Sequence, residues 1–164
     1  WEIQQAMING EIDAGVTWEP YLTETAKLIG GKVLITSRDY PETIITTMTF
    51  DSKIVEERPN DVQAVVAAYF DAVDYIKQNP QDAYEIMGTA EGVSAEEFAS
   101  HVNGIKYLDL NENADLYGTD SNGRIYSATQ EISDFLLENN VIKNSPDVHT
   151  MLNSQFILSL FTSK

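Results

Sequence analysis

The stretch that most constrains the fold of this chain is residues 10–22, GEIDAGVTWEPYL. Apolar side chains alternate with polar or small ones from position 12 to position 16, which is the period of a β-strand. The preceding residues 2–9 carry apolar side chains at the i, i+3 and i+4 spacing of a helix face. Gly10 lies between the two patterns and suits the left-handed residue that ends a helix. The sequence therefore predicts a helix followed at once by a buried strand.

A Trp-Glu-Pro corner follows the predicted strand. Pro20 suits the first turn of a helix, where its missing N–H has no partner to lose, so Trp18 and Glu19 are expected in the strand-to-helix turn. Open α/β sheets bind ligands outside the carboxyl ends of their strands, which is where this corner lies. Two other roles stay open: Trp18 as a core residue, and Glu19 as an acidic residue that stabilises the first turn of its own helix.

Helix and strand patterns continue to alternate up to about residue 50. Residues 19–29 are predicted to form a helix that ends at Gly30, and residues 32–36 a second strand. Residues 43–50 carry β-branched side chains at most positions and are predicted to form a third strand. This order of elements is typical of an α/β chain with a parallel-rich sheet and covering helices.

From residue 51 onward the patterns are almost wholly helical. Amphipathic spacing predicts helices over residues 61–78 and 124–138, and a shorter helix over residues 80–87. A further helix is expected to begin at Ser94, because a hydroxyl at the cap precedes a glutamate three residues later. Residues 106–110 are expected to form a short strand or an extended link.

Five segments, taken in order, resemble the ABC-transporter solute-binding proteins of the subfamily for nitrate, sulfonates, taurine and thiamine-pyrimidine precursors. Residues 10–22 resemble the signature G-x-x-D-A-x-x-x-W-E-P, and residues 31–41, GKVLITSRDYP, resemble G-G-K-V-L-x-x-S-x-D-Y-P. The other three segments are residues 60–87, 92–98 and 146–152. No segment is diagnostic alone, so the resemblance depends on their order over nearly the whole chain.

The resemblance implies the C-terminal portion of a type 2 periplasmic-binding-protein fold. The chain has 164 residues and opens at Trp1 inside a predicted helix, whereas members of the family are much longer and carry these motifs in their second half. Residues 1–38 would then end the second lobe, residues 39–43 would form the interdomain crossover, and residues 44–164 would return to the first lobe. A lone half would expose open sheet edges, so we expect either a homodimer or pairing with the missing N-terminal half.

The resemblance also implies a ligand cleft that closes between two lobes, with strand ends and helix N-termini around a small polar ligand. Trp18 is expected to cover the ligand by stacking or as an indole donor. Glu19 is a second expected ligand-binding residue, and Asp39 and Tyr40 at the crossover are the others. A carboxylate in the cleft would repel an anion and suit an amine or a protonatable pyrimidine, so the identity of the solute stays open.

Composition and motifs weigh against several classes of function. The net charge is −16 and the ten Lys and Arg residues are scattered, which argues against a nucleic-acid partner. The chain has no cysteine, so disulfides, thiolate nucleophiles and cysteine metal sites are excluded. No nucleophile elbow, phosphate loop or dinucleotide motif is present. The apolar run over residues 156–161 is too short to span a bilayer.

No metal, cofactor or catalytic residue is expected. Residues 118–125 partly match a calcium loop, but Gly118 stands at the obligatory acidic first position and Thr129 where the bidentate glutamate belongs. His101 and His149 lie on separate predicted helices without a second ligand one turn away. The sequence therefore predicts a binding protein rather than an enzyme.

We expect a periplasmic or extracellular solute-binding component of an ABC importer, with a lipid anchor left open. Its partners would be a small-molecule ligand and a permease in the membrane, and its function would be ligand-driven closure of two lobes. Two alternatives use the same scaffold. One is an enzyme like the thiamine-pyrimidine synthases, whose cysteine-rich motif this chain lacks, and the other is a sensory module. Nitrate, sulfonates, taurine and pyrimidines all remain as solutes.

Overall fold

The computed structural model describes residues 1–40 and 44–162. The regular secondary structure of these two ranges is α-helical. The helices are α1 Glu2–Ile8, α2 Tyr21–Ile29, α3 Ser52–Glu57, α4 Pro59–Gln78, α5 Pro80–Glu91, α6 Ala95–Val102, α7 Leu110–Tyr117, α8 Arg124–Glu138, α9 Val148–Met151 and α10 Gln155–Thr162.

The chain divides into two compact units. Unit 1 comprises Trp1–Ile44 and Tyr84–Lys106, and unit 2 comprises Ile45–Ala83 and Tyr107–Lys164. Unit 1 therefore holds α1, α2 and α6, whereas unit 2 holds α3, α4 and α7 to α10. Helix α5 begins in unit 2 and continues in unit 1.

The strongest helical patterns are confirmed. Helix α8 has the predicted bounds, and α4 begins only two residues before its predicted start. Helix α1 ends as predicted, because Gly10 has φ +70°. The Gly10 N–H donates to the Met7 carbonyl at 3.1 Å and the Glu11 N–H donates to the Ala6 carbonyl at 2.9 Å, which closes the last turn with a pair of bonds typical of a helix C-terminus.

Two of the other predicted helices and one predicted link differ from the structure. Helix α2 begins at Tyr21, two residues later than predicted, and α5 continues to Glu91. The expectation of a strand or link over residues 106–110 is wrong at its end, since α7 begins at Leu110. A capping box starts this helix: the Asp109 side chain accepts from the Glu112 N–H, and the Glu112 side chain accepts from the Asp109 N–H.

The three predicted strands, residues 12–16, 32–36 and 43–50, show no strand pairing in the described part of the chain. Residues 41–43 lie outside the described residues; all three belong to the predicted crossover, and residue 43 is also the first of the predicted third strand. Most apolar side chains of the first two segments are exposed, with Val16 93% and Leu34 87% exposed, whereas Ile12 is partly buried. A strand is stable only beside a neighbour that pairs with its N–H and C=O groups. Because alternation along one segment does not show whether that neighbour is present, the parallel-rich sheet stays a prediction.

Unit 1 buries few large apolar side chains. Helices α1 and α2 pack together, and the interior-facing residues there are polar: Gln4 and Thr25 are both buried. The Gln4 side-chain amide donates to the Glu24 carboxylate at 3.4 Å. Elsewhere in unit 1 the rings of Tyr84 and Phe98 lie 6.0 Å apart, and Phe98 is buried. Many large apolar side chains of this unit are exposed, among them Trp1, Trp18 and Leu34.

Unit 2 has a true apolar core. Its centre is formed by four buried side chains from α7, α8 and α9, namely Leu116, Ile125, Tyr126 and Val148. Helix α4 contributes Val62 and Val73, which are almost completely buried. Helix α10 is tied to α4 through Gln63, whose amide donates to the Phe156 carbonyl at 3.0 Å and accepts from the Ser159 hydroxyl at 2.7 Å.

Candidate functional site

The Trp-Glu-Pro corner lies on the surface of unit 1, immediately before α2. Trp18 is 72% exposed, so the alternative in which it is a core residue is wrong for this structure. The Glu19–Pro20 peptide bond is cis. A large exposed aromatic beside a polar side chain is an arrangement that binding sites use, because the ring contributes apolar contact area and an N–H donor.

The carboxylate of Glu19 is bonded to the first turn of α2. Its Oε1 accepts from the Thr23 hydroxyl at 2.8 Å, and its Oε2 accepts from the Thr23 backbone N–H at 3.2 Å. The first N–H groups of a helix have no partner within the helix, so this carboxylate satisfies one of them. Glu19 makes the hydrogen bonds expected of a residue that stabilises its own helix, and its contact with a ligand stays a prediction.

The other predicted site residues lie in a turn that begins at Thr36. The Asp39 Oδ2 accepts from the Thr36 N–H at 2.8 Å and from the Thr36 hydroxyl at 3.2 Å, while the Asp39 N–H donates back to the Thr36 carbonyl at 3.0 Å. These bonds make a closed turn that projects the next residue outward. Tyr40 is 59% exposed at the end of the turn.

The loop after α6 is hydrogen-bonded to the residue before Asp39 and passes near Glu19. The Arg38 Nη2 donates to the Asn103 carbonyl at 3.0 Å. A side-chain carbon added to the next residue, Gly104, would lie 3.9 Å from the Glu19 Cγ. Unit 1 by itself therefore brings the Trp18–Glu19 corner and the turn of Asp39 and Tyr40 to a single loop.

Arg38 is the residue of this site that the sequence reasoning missed. It stands immediately before Asp39, the first of the turn residues already singled out, and a cation in that position was the available signal. The contact that fixes it comes from a carbonyl 65 positions further along the chain, which no local pattern reveals.

Unit 2 contains a separate polar cluster with a structural role. The Lys77 ammonium lies 2.7 Å from the Asp109 carboxylate. The Glu112 N–H and the Lys77 ammonium, in that order of effect, hold the pKa of Asp109 below its ordinary value. The same carboxylate caps α7, so the cluster joins α4 to the start of α7.

The histidines do not form a ligand set with other residues of the described chain. His149 stacks on Tyr126 with ring centroids 5.0 Å apart. No group of three or more His, Cys, Asp and Glu side chains in the described ranges is arranged to hold a metal ion. The described helices also include none that is long and apolar enough to cross a membrane.

Comparison with known proteins gives the family of the chain. The model of the NMT1-like family matches residues 2–90, which is more than half of the sequence, and the chain belongs to this family. The resemblance to solute-binding proteins of the nitrate, sulfonate and taurine subfamily is thereby confirmed. Membership implies the periplasmic-binding-protein fold.

A curated relative covers almost the whole chain. It is a protein of Bacillus subtilis (strain 168) named as an aliphatic sulfonates-binding protein, and it is 25% identical over 158 residues. The alignment covers 95% of this chain and 44% of the relative, so the chain spans less than half of the length of that protein. The relative is named as a binding protein and not as an enzyme. No solved structure gives a significant match.

Proposed function

We propose that the chain belongs to an extracytoplasmic solute-binding component of an ABC importer, which captures a small polar nutrient. The observation that carries the proposal is the surface of unit 1 where exposed Trp18 stands beside Glu19, and where Asp39 and Tyr40 are tied through their turn to the same loop. Family membership supports a binding role. The name of the relative makes an aliphatic sulfonate the first solute to test.

The proposal includes the architecture of the complete protein. Residues 1–38 would end the second lobe, residues 39–43 would form the crossover and residues 44–164 would return to the first lobe. The segments predicted as strands are apolar and exposed here, as Val16 and Leu34 show. In the complete protein, the part that corresponds to the uncovered portion of the longer relative would supply the strands that pair with these segments. A homodimer is the alternative way to cover the same surface.

The proposed mechanism is binding without conversion of the ligand. A solute that contacts both lobes stabilises the closed arrangement, and its affinity difference for the two states sets how far the equilibrium moves. The closed form would then be recognised by a membrane permease. A periplasmic or extracellular location, with or without a lipid anchor, follows from that partner.

A thermal-shift screen of the full-length protein tests this function. The panel contains ethanesulfonate, taurine, nitrate and an aminopyrimidine, each at saturating concentration. A compound that binds only the native state raises the apparent stability, by about 2.7 kcal/mol at a concentration one hundred times its Kd. We expect one compound to raise the Tm by several degrees. The proposal is overturned if none does and the protein instead converts one of the compounds into a product.

A further inference from the structure

We infer that Asn103 is a site of spontaneous covalent modification, at which the side-chain amide is converted to a carboxylate through a cyclic imide formed with Gly104. The chain contains three Asn-Gly pairs, residues 9–10, 103–104 and 122–123. Asparagine is a thermolabile residue, and a following glycine favours its reaction because the glycine has no side chain to hinder formation of the ring. The inference goes beyond the proposed solute-binding function and does not depend on it.

The reaction needs only the two residues and water. The main-chain nitrogen of Gly104 loses its proton and attacks the side-chain carbonyl carbon of Asn103, so a C–N bond forms, the bond to the amide NH2 breaks and ammonia leaves. Water then opens the imide at one of its two carbonyl carbons. One opening gives aspartate and the other gives isoaspartate. No group is oxidised or reduced, and each product carries one more negative charge at neutral pH than asparagine does.

The nitrogen that must react is available at Gly104. In the part of the chain that the structure describes, neither the Gly104 N–H nor the Asn103 side-chain amide is hydrogen-bonded. Both residues are exposed. A methyl group added to Gly104 would have the Glu19 Cγ as its nearest neighbour, 3.9 Å away, so this side of the turn is open.

Two hydrogen bonds hold the turn, and neither of them uses the reacting nitrogen. The Ile105 N–H donates to the Val102 carbonyl at 2.8 Å, and the Nη2 of exposed Arg38 donates to the Asn103 carbonyl at 3.0 Å. Only Gly, Asn and their flanking residues therefore have to move for the ring to close.

The pair at residues 9–10 is protected by hydrogen bonds of both reacting groups. The Gly10 N–H donates to the Met7 carbonyl at 3.1 Å. The Asn9 side-chain amide donates to the Glu11 Oε1, also at 3.1 Å. A main-chain N–H that is bonded in the folded state gives up its proton slowly, as hydrogen exchange shows in proteins generally.

The pair at residues 122–123 is protected by a hydrogen bond and by close packing. The Gly123 N–H donates to the Tyr117 carbonyl at 2.9 Å. The main chain of Leu116 and Tyr117 lies directly against Gly123, where it leaves no room even for a methyl group. The peptide between Asn122 and Gly123 therefore cannot rotate toward the asparagine side chain without displacing its neighbours.

The modification would change the contact between Asn103 and Arg38. In isoaspartate the main chain runs through the former side chain, and the carbonyl that now accepts from Arg38 becomes part of a free carboxylate. The guanidinium would then face an anion in place of a neutral oxygen, and hydrogen bonds between two charged groups are shorter and stronger. The new charge would lie on the loop that also passes near Glu19.

The test follows the three pairs in one sample of the full-length protein. The protein is incubated at mildly alkaline pH, and its peptides are quantified over time by mass spectrometry with chromatographic separation of aspartate from isoaspartate. In the folded protein we expect Asn103 to react at least about fivefold faster than Asn9 or Asn122, the factor that one hydrogen bond of ordinary strength supplies. In guanidinium chloride this difference should disappear, because all three pairs are then equally free.

Gly104→Ala tests the role of the glycine. The added methyl group meets only an ordinary contact, so the variant should fold. We expect Asn103 to react at least about fivefold more slowly in it, because alanine lacks the backbone freedom of glycine. Asn9 and Asn122 are the matched controls within the same sample and should keep their wild-type rates. If the variant does not fold, the comparison of the wild type in buffer and in denaturant still decides.

Three results would overturn the inference. In the first, Asn9 or Asn122 reacts as fast as Asn103 in the folded protein. In the second, Asn103 leads by the same factor in denaturant, which would place the selectivity in the sequence and not in the fold. In the third, none of the three peptides changes in the folded protein while all of them change in denaturant.

Discussion

Glu19 accepts a 2.8 Å hydrogen bond from the hydroxyl of Thr23, and its second oxygen accepts from the backbone N–H of the same residue at 3.2 Å. One side chain therefore closes the start of α2 next to the exposed tryptophan. Replacing a side chain that caps a helix costs about 1 kcal/mol. We predict that Glu19→Ala lowers the free energy of unfolding by about this amount, measured by denaturant titration.

The coupling between the two residues distinguishes a direct side-chain contact from an unspecific effect of charge. Thr23→Val removes the hydroxyl and keeps the backbone N–H. In the Thr23→Val background, Glu19→Ala should cost less than it does in the wild type, because one of the two bonds is already lost. Fully additive losses would contradict the hydrogen bond between the Thr23 hydroxyl and Glu19.

Trp18 gives the most direct test of the ligand surface. Because its side chain is 72% exposed, Trp18→Ala should leave the Tm nearly unchanged. We predict that it weakens binding of the solute found in the screen at least about tenfold, equivalent to about 1.4 kcal/mol. Trp1→Ala is the matched control, since Trp1 is the other tryptophan of the chain and is 66% exposed. Unchanged affinity in folded Trp18→Ala would remove this residue from the site.

Helical periodicity allowed most of the helices to be predicted, because the apolar positions of an amphipathic helix lie on the face that packs against the rest of the protein. The burial of single side chains follows less closely: within the amphipathic helix predicted over residues 61–78, Val62 and Val73 are buried, whereas Val65 is 48% exposed. Periodicity shows that a helix has an apolar face but not how much of that face a neighbour covers. The start of α7 was missed although its signal, an acidic cap followed by Glu112, was present.

The parts that could not be predicted depend on contacts between distant positions. The corner at Trp18 and the turn at Asp39 were identified locally, but the loop that both regions approach follows α6, far along the chain. The predicted strands are unpaired in the described part of the chain for a related reason. A sheet requires partners, and alternation within residues 12–16 contains no information about them.

Asp109 makes the stability of unit 2 depend on pH at the acidic end. Its pKa in the folded protein is lowered from an ordinary value of 3.8, first by the Glu112 N–H and then by Lys77. A depressed carboxyl pKa contributes stability that is present above the unfolded value and is lost as the pH falls through the folded value. We predict that Asp109→Asn lowers the Tm at neutral pH, and that this difference shrinks below a pH of about 3.8.

The asparagine substitution is informative because it also caps helices well. It keeps a side-chain oxygen for the Glu112 N–H, and it replaces the charged oxygen that accepts from Lys77 by an amide NH2, which removes both the charge and this bond. Glu131→Gln, at an exposed position of α8, serves as the control for a lost carboxylate. If the difference between wild type and Asp109→Asn is the same at every pH, the lowered pKa of Asp109 does not contribute to folding.

Gly123 is required by close backbone contact rather than by an unusual conformation. Its φ of −67° is accessible to any residue, and its N–H donates to the Tyr117 carbonyl at 2.9 Å. A methyl group at this position would overlap the carbonyl of Leu116 and the backbone of Tyr117. Overpacking of this kind costs about 1–3 kcal/mol. We predict a loss of that size for Gly123→Ala in denaturant titration, with the end of α7 displaced from the start of α8.

Gly104→Ala is the control for this prediction, because the nearest heavy atom to an added methyl group there is the Glu19 Cγ at 3.9 Å, an ordinary van der Waals distance. It should change the free energy of unfolding by less than about 0.5 kcal/mol. Both variants replace a glycine by alanine, so the decrease in the conformational entropy of the unfolded chain is the same in each. Equal stability of the two variants would show that the backbone around Gly123 relaxes without cost, and that the tight connection between α7 and α8 is not needed for the core around Ile125.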